Sequence, residues 1–174
     1  MKRLHVGSAA LNQTPLSWKN NTQNIIEAIS QAKEKNVELL LLPELAITGY
    51  GCEDMFLSPS TTERSEKALL EIASHCTNIT VAIGIPFLYC NALYNGAVLI
   101  SNGKITGIAA KQNLANGDVH YESRWFKPWP KGVSGNLTIN GSTVPVGDII
   151  FNCGGIRLGF EICEDAWVPN RPGR

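Results

Sequence analysis

The sequence predicts an α/β domain, and three observations support that prediction. Three segments follow one another along the chain: an apolar run over residues 4–11, a segment with helical apolar spacing over 18–35, and a second apolar run over 38–42. A strand, helix, strand unit of this kind crosses over right-handed, so its two strands are expected to pair in parallel. Further along, the turn residues Asn102 and Gly103 join two apolar strands with no helix between them, which predicts a β-hairpin.

The other predicted elements come from the same two periodicities. In chain order they are a helix over 60–76, strands over 80–85, 93–101 and 105–110, and a β-meander over the last third of the chain. Pro86 is predicted to end the strand that precedes it, because proline has no N–H for a ladder hydrogen bond. Residues 112–131 form a long irregular stretch whose large aromatic side chains predict an ordered loop.

Length and composition exclude several classes of protein. The chain has 174 residues, the size of one ordinary domain, with 15 basic and 15 acidic residues and a net charge of zero, so no nucleic-acid partner is expected. No apolar stretch approaches the ~20 residues of a membrane helix and no signal-peptide pattern is present, which predicts a cytoplasmic protein without a membrane partner. Five cysteines without C-x-x-C spacing predict reduced thiols and no metal site.

Three reactive residues each follow an apolar strand. Glu44 comes after the run that Pro43 closes, Lys111 follows the second hairpin strand, and Cys163 lies about two residues beyond an apolar run over 156–160. Taken singly, each has an ordinary structural interpretation: a carboxylate at a helix start, a solvated lysine and a buried small thiol. A carboxylate, an ammonium and a thiol at corresponding edges of one sheet could instead form a complete acyl-transfer site. A dyad of Cys163 with His120 is a weaker alternative, because the arrangement of Glu44, Lys111 and Cys163 leaves His120 without a role.

The segments around these residues resemble a known family. Leu-Leu-Pro-Glu-Leu at 41–45 with Thr-Gly-Tyr at 48–50, Lys111 after a hairpin, and Glu-Ile-Cys-Glu-Asp-Ala-Trp at 161–167 resemble the nitrilase, or carbon–nitrogen hydrolase, superfamily. The stretches 111–117, 121–129 and 144–148 are more similar to the glutaminase domains of glutamine-dependent NAD synthetases of the eukaryote-like branch. The resemblance covers essentially the whole chain.

This resemblance implies both a fold and a set of roles. The fold would be a nitrilase-like αββα sandwich, truncated after the nucleophile. Cys163 would be the nucleophile, Glu44 the general base, and Lys111 with the backbone N–H of Glu164 the oxyanion donors. Glu122 would be an additional carboxylate that orients Lys111 or the substrate, and Tyr121 would also lie on the substrate-binding side.

The resemblance also implies partners. Residues 1–174 would be the N-terminal part of a glutamine amidohydrolase domain that needs no cofactor, because family domains continue well past the cysteine whereas this chain ends eleven residues later. A synthetase domain outside the sequence would use ATP and magnesium to adenylate deamido-NAD, and a homo-oligomer is expected. The open alternatives are a stand-alone amidase acting on another carboxamide, and a binding module whose triad is inert.

Overall fold

The computed structural model describes residues 3–117 and 119–173. Within them, the α-helices are α1, Trp18–Glu34, and α2, Pro59–His75. The strands, in chain order, are β1 Val6–Ser8, β2 Leu39–Leu41, β3 Thr80–Tyr89, β4 Ala92–Ser101, β5 Lys104–Ala110, β6 Asn116–Gly117, β7 His120–Tyr121, β8 Ser134–Ile139, β9 Ser142–Gly147, β10 Phe151–Cys153 and β11 Ile156–Leu158. Short 3-10 helices cover Glu53–Leu57, Glu122–Arg124 and Cys163–Ala166.

A seven-stranded mixed sheet organises the chain. Its strand order is β1-β2-β3-β4-β5-β9-β8. The strands β1, β2 and β3 pair in parallel, as the strand, helix, strand order predicts, and β3, β4 and β5 form antiparallel pairs. In the β4–β5 turn, Asn102 and Gly103 adopt φ values of 49° and 76°, the left-handed conformation that a tight hairpin turn requires. The predicted hairpin is therefore confirmed.

Both helices pack on one face of this sheet. Ile25 and Ile29 of α1 and Leu69 and Ile72 of α2 are almost fully buried in the largest apolar cluster of the described residues. The opposite face is covered in part by the two-stranded hairpin β10–β11, whose Phe151 packs with side chains of the main sheet. The α/β class predicted from the sequence is thus confirmed, and the second face of the sheet carries a further β layer.

Two predicted strand boundaries are wrong. The first strand is shorter than the apolar run over 4–11 and is not buried: β1 lies at the sheet edge and Val6 is exposed. Pro86 does not end its strand, because β3 continues through it to Tyr89. The pairing of β2 with β3 stops at Ala82, so Pro86 lies where one side of β3 has no hydrogen-bonding neighbour and the missing N–H breaks no ladder bond.

The long stretch over 112–131 is ordered, as its aromatic content predicts. Trp125, Phe126 and Trp129 are buried. The ring of Phe56 packs against Phe126 with centroids 4.9 Å apart, which joins this loop to the 3-10 helix at 53–57. No helix in residues 3–117 and 119–173 combines the length and the apolar character required to cross a membrane.

Candidate active site

The turn that carries Cys163 holds an unusual backbone conformation. Cys163 opens the 3-10 helix Cys163–Ala166 and has a φ of 50°, in the left-handed region that non-glycine residues rarely occupy. Such conformations persist only where the surrounding structure enforces them, and they are frequent at functional sites. The turn leaves residue Cys163 as a whole exposed, although its sulfur is partly desolvated.

The strand before Cys163 does not belong to the main sheet. It is β11, which pairs only with β10 in a separate two-stranded sheet among the described residues. The expectation that Glu44, Lys111 and Cys163 lie at corresponding edges of one sheet is therefore wrong for Cys163. The cysteine approaches the other two because this hairpin packs over the face of the sheet that the helices leave open.

Glu44 is held by a tight turn that lies directly on β3. Leu45 has a φ of 50°, and the N–H of Gly84 donates to the carbonyl oxygen of Pro43 at 3.2 Å. A side chain at Gly84 would collide with the backbone of Glu44 and Leu45, so the close approach requires glycine. The Glu44 side chain is 18% exposed and lines a cavity of about 250 Å³ together with Cys163.

Lys111 is fully buried between two carboxylates. Its Nζ donates to Glu44 Oε1 at 2.7 Å and to Glu122 Oε1 and Oε2 at 2.9 and 2.7 Å. Burial by itself lowers the pKa of Lys111, but Glu44 and Glu122 outweigh burial and raise the pKa above its ordinary value. Lys111 is therefore a cation at neutral pH.

Glu122 is the more tightly held carboxylate. It is 1% exposed, and besides Lys111 it accepts the N–H of Ala115 at 2.9 Å and the hydroxyl of Tyr50 at 2.7 Å. These donors occupy both oxygen atoms of Glu122, so its carboxylate is fixed in the position that holds Lys111. The prediction that Glu122 accompanies Lys111 agrees with this geometry, and its effect on substrate remains a prediction.

Burial raises the pKa of the Cys163 thiol, and the charge of Glu44 raises it further. The charge of Lys111 and the neighbouring backbone N–H of Glu164 oppose this change but do not reverse it. At neutral pH the thiol is therefore protonated and needs a base before it can act as a nucleophile.

Two other predicted residues make different contacts. Tyr121 is exposed, and its hydroxyl donates to Glu53 Oε2 at 2.9 Å, which directs it toward the 3-10 helix at 53–57. The Nδ1 atom of His120 lies 3.4 Å from the Tyr50 hydroxyl. The structure thus places His120 beside Tyr50, on the Glu122 side of the cluster.

Three residues of the cluster were not assigned a role from the sequence. Tyr50 belongs to the Thr-Gly-Tyr motif, so a signal for it was present; burial and its hydrogen bond to Glu122 raise its pKa, and it stays a donor. Asn95 lies inside β4 and donates to Glu44 Oε1 at 2.7 Å, and no local pattern marks it. The third is Asp165, two residues after Cys163.

Asp165 connects the Cys163 turn to the segment after Lys111. Its buried Oδ1 accepts the N–H groups of Gln112 and Asn113 at 3.2 and 2.8 Å and the Asn113 side-chain amide at 2.9 Å. Its Oδ2 accepts the N–H of Ile162 at 3.1 Å. One carboxylate therefore fixes the distance between the residue before Cys163 and the residues after Lys111.

Replacing Asp165 with asparagine should loosen this connection. The amide keeps the shape but presents N–H groups to backbone donors, so we expect the free energy of unfolding to fall by about 2–4 kcal/mol. We also expect alkylation of Cys163 by iodoacetamide to slow by about 10–100-fold, because small displacements of reacting groups have effects of that size. Denaturant titration and the alkylation rate of the full-length protein measure both.

Asp148→Asn is the matched control for that variant. Asp148 also accepts a backbone N–H, that of Gly132 at 2.7 Å, but it belongs to a loop outside the cluster. Its substitution should leave the alkylation rate of Cys163 unchanged. Equal losses of alkylation rate in the two variants would show that Asp165 has no particular connection to the Cys163 turn.

Comparison with known proteins places these residues in a family. A family model described as carbon-nitrogen hydrolase matches residues 5–172. A glutamine-dependent NAD(+) synthetase from Cytophaga hutchinsonii of known structure has 48% sequence identity and a TM-score of 0.90, over 92% of this chain and 28% of that one. A second such structure, from Acinetobacter baumannii, has 29% identity and a TM-score of 0.73 over the same shares of the two chains.

The curated relatives give the same result from sequence alone. The glutamine-dependent NAD(+) synthetase of Dictyostelium discoideum is 34% identical over an alignment that covers 99% of this chain and 26% of that protein. The chain thus spans about a quarter of the length of the relatives it matches. With a family model over nearly all of its residues and the nitrilase-like fold of its structural neighbours, the chain belongs to the carbon-nitrogen hydrolase family.

Proposed function

We propose that this chain is the glutamine-hydrolysing part of a glutamine-dependent NAD synthetase. The observation that carries the proposal is the buried Lys111, held between the carboxylates of Glu44 and Glu122 in the cluster that Cys163 completes. The relatives named glutamine-dependent NAD(+) synthetase match the chain over almost its whole length, which supports glutamine as the amide that this cluster attacks.

The first half of the reaction forms a thioester. Glu44 takes the proton of the Cys163 thiol, and the sulfur forms a bond to the side-chain carbonyl carbon of glutamine. The carbonyl oxygen becomes an oxyanion, which Lys111 and the N–H of Glu164 stabilise; one such donor is typically worth about 2.7–4 kcal/mol in the transition state. Glu44 returns its proton to the nitrogen as the carbon–nitrogen bond breaks, and ammonia leaves.

The second half of the reaction regenerates the thiol. Glu44 takes a proton from a water molecule, whose oxygen attacks the thioester carbonyl, and the same two donors stabilise the second oxyanion. The carbon–sulfur bond breaks, glutamate leaves, and the proton passes from Glu44 to the sulfur. Because a single carboxylate serves both steps, no histidine is needed.

The ammonia would be consumed outside this chain. We place residues 1–174 as the N-terminal part of an amidohydrolase domain, with a synthetase domain beyond the sequence that binds ATP, magnesium and deamido-NAD. The A. baumannii relative of known structure was solved in complex with adenosine diphosphate, which supports a nucleotide partner. A homo-oligomer and a cytoplasmic location stay predictions.

The direct test is the choice of amide. Full-length protein should release ammonia from glutamine, and release from acetamide should be slower by at least about 100-fold, because the pocket would hold the α-amino and α-carboxylate groups of glutamine as well as its amide. Ammonia measured by a coupled assay at equal concentrations of the two amides gives the ratio. Faster release from acetamide would favour a stand-alone amidase instead.

A further inference from the structure

Asn95 makes contacts that stability alone does not explain. It is 1% exposed within β4, and its Nδ2 donates to Glu44 Oε1 at 2.7 Å. Its Oδ1 is the one buried side-chain nitrogen or oxygen atom without a hydrogen-bond partner in the described parts of the chain. A buried acceptor without a partner is destabilising, and such groups are retained where they have a functional role.

A flip of the Asn95 side-chain amide would not remove the unsatisfied acceptor without creating a new conflict. With the amide reversed, Oδ1 would face the Glu44 carboxylate, and two acceptors would meet without a proton between them. The observed orientation is therefore imposed by the acceptor oxygen Oε1 of Glu44. The hydrogen bond from Asn95 Nδ2 to the Glu44 carboxylate thus compensates for the missing hydrogen bond to Oδ1.

Two donors converge on the same oxygen of Glu44. Oε1 accepts Asn95 Nδ2 and Lys111 Nζ, each at 2.7 Å, whereas Oε2 accepts no hydrogen bond from residues 3–117 and 119–173. Asn95 and Lys111 are also tied through the backbone, since the N–H of Lys111 donates to the carbonyl oxygen of Asn95 at 2.9 Å. The two donors are thus linked to each other, and both bind the same oxygen of the Glu44 carboxylate.

We infer that Asn95 is a positioning residue for the base: it saturates Glu44 Oε1 together with Lys111, so that Oε2 takes the proton from Cys163. The inference rests on the proposed role of Glu44 as the general base. By donating to the ionised carboxylate, Asn95 also favours the unprotonated form that can act as a base.

Other charged groups face Glu44 from each neighbouring element. Lys111 follows β5 and stabilises the anion, while Glu122 lies beyond Lys111 and opposes it. Cys163 interacts with Glu44 from the 3-10 helix at 163–166, and Tyr50 interacts with it from the loop after the Glu44 turn. Substitution of Asn95 leaves Lys111, Glu122, Cys163 and Tyr50 in place. A change in the pH dependence of the Cys163 reaction would therefore result from the loss of the Asn95 donor.

The test is the pH dependence of Cys163 alkylation by iodoacetamide in the full-length protein, followed by peptide mass spectrometry. In Asn95→Leu, the acidic limb of the rate profile should move up by about one pH unit, so that alkylation at the midpoint of the wild-type limb slows about fivefold. Because leucine also removes the unsatisfied oxygen, the thermal midpoint should be equal to or above that of the wild type. Asn95→Ala should show the same shift of the limb if the leucine variant fails to fold.

The control is Asn24→Leu. Asn24 lies on α1 and donates to Gln13 Oε1 at 2.9 Å, away from Glu44, so its substitution should leave the alkylation profile in place. The inference is overturned if the acidic limb of neither Asn95 variant moves. A wild type that shows the alkylation profile but releases no ammonia from glutamine would instead contradict the proposed substrate and leave the role of Asn95 standing.

Discussion

Replacing Cys163 with alanine is expected to abolish glutamine-dependent NAD formation by the full-length protein and to leave the ammonia-dependent reaction intact. Alanine removes the only atom that can form the thioester, so ammonia release from glutamine should fall by about 10⁴-fold or more. Added ammonium salts would bypass the missing step, because ammonia is the only product of glutamine hydrolysis that the synthetase reaction uses. Parallel assays with glutamine and with ammonium chloride measure the two rates.

The matched control for this variant is Cys90→Ala. Cys90 is also an exposed free thiol, but it lies in the turn between β3 and β4. Its loss should change neither rate. If Cys163→Ala reduces the ammonia-dependent rate as strongly as the glutamine-dependent one, Cys163 does not belong to the glutamine-hydrolysing step alone.

Residues at strand ends were the predictable part of the site. Glu44 and Lys111 each follow an apolar run directly, and strand ends are the places where an α/β sheet presents side chains to a ligand. The strand, helix, strand order predicts the parallel pairing of β2 and β3. The hairpin turn at Asn102 predicts that β5 runs antiparallel to β4, which sets the position of Lys111 at the end of β5. Local sequence patterns were therefore sufficient to predict that the side chains of Glu44 and Lys111 lie near each other.

The approach of Cys163 depends on long-range packing that no local pattern reveals. Residues 156–160 are apolar apart from Arg157, and this pattern fits a strand of the main sheet as well as a strand of a separate hairpin, so the sequence does not distinguish the two arrangements. Asn95 and Asp165 were not found for a related reason. A polar residue inside an apolar strand or just after a nucleophile gains its role only from the partners that the fold brings to it, here Glu44, Gln112 and Asn113.

Replacing Lys111 with methionine is the second prediction with a large expected effect, and it should reduce both activity and stability. The variant leaves Glu44 and the buried Glu122 near each other without the cation that separates them. Loss of one member of a buried charge pair typically destabilises a protein by about 3–5 kcal/mol. Loss of the oxyanion donor should also slow ammonia release from glutamine by about 10²–10³-fold.

A second substitution separates these two effects. In the double variant Lys111→Met with Glu122→Gln, the buried charge next to the missing cation is removed, so most of the lost unfolding free energy should return. Ammonia release should stay low, because neither substitution restores a donor for the oxyanion. Recovery of activity together with stability would mean that Lys111 acts only by holding the fold, and would contradict its catalytic role.

The pH dependence of stability gives an independent measure of the same ion cluster. Because the folded protein raises the pKa of Lys111 above its unfolded value, the stabilisation is fully present below the unfolded pKa of about 10.4 and is lost as pH rises through the folded pKa. The unfolding free energy of the wild type should therefore fall more steeply than that of Lys111→Met as pH rises above about 10. Lys104→Met, at the exposed first residue of β5, should follow the wild-type curve. Parallel curves for the wild type and Lys111→Met would mean that Glu44 and Glu122 do not hold the proton on Lys111.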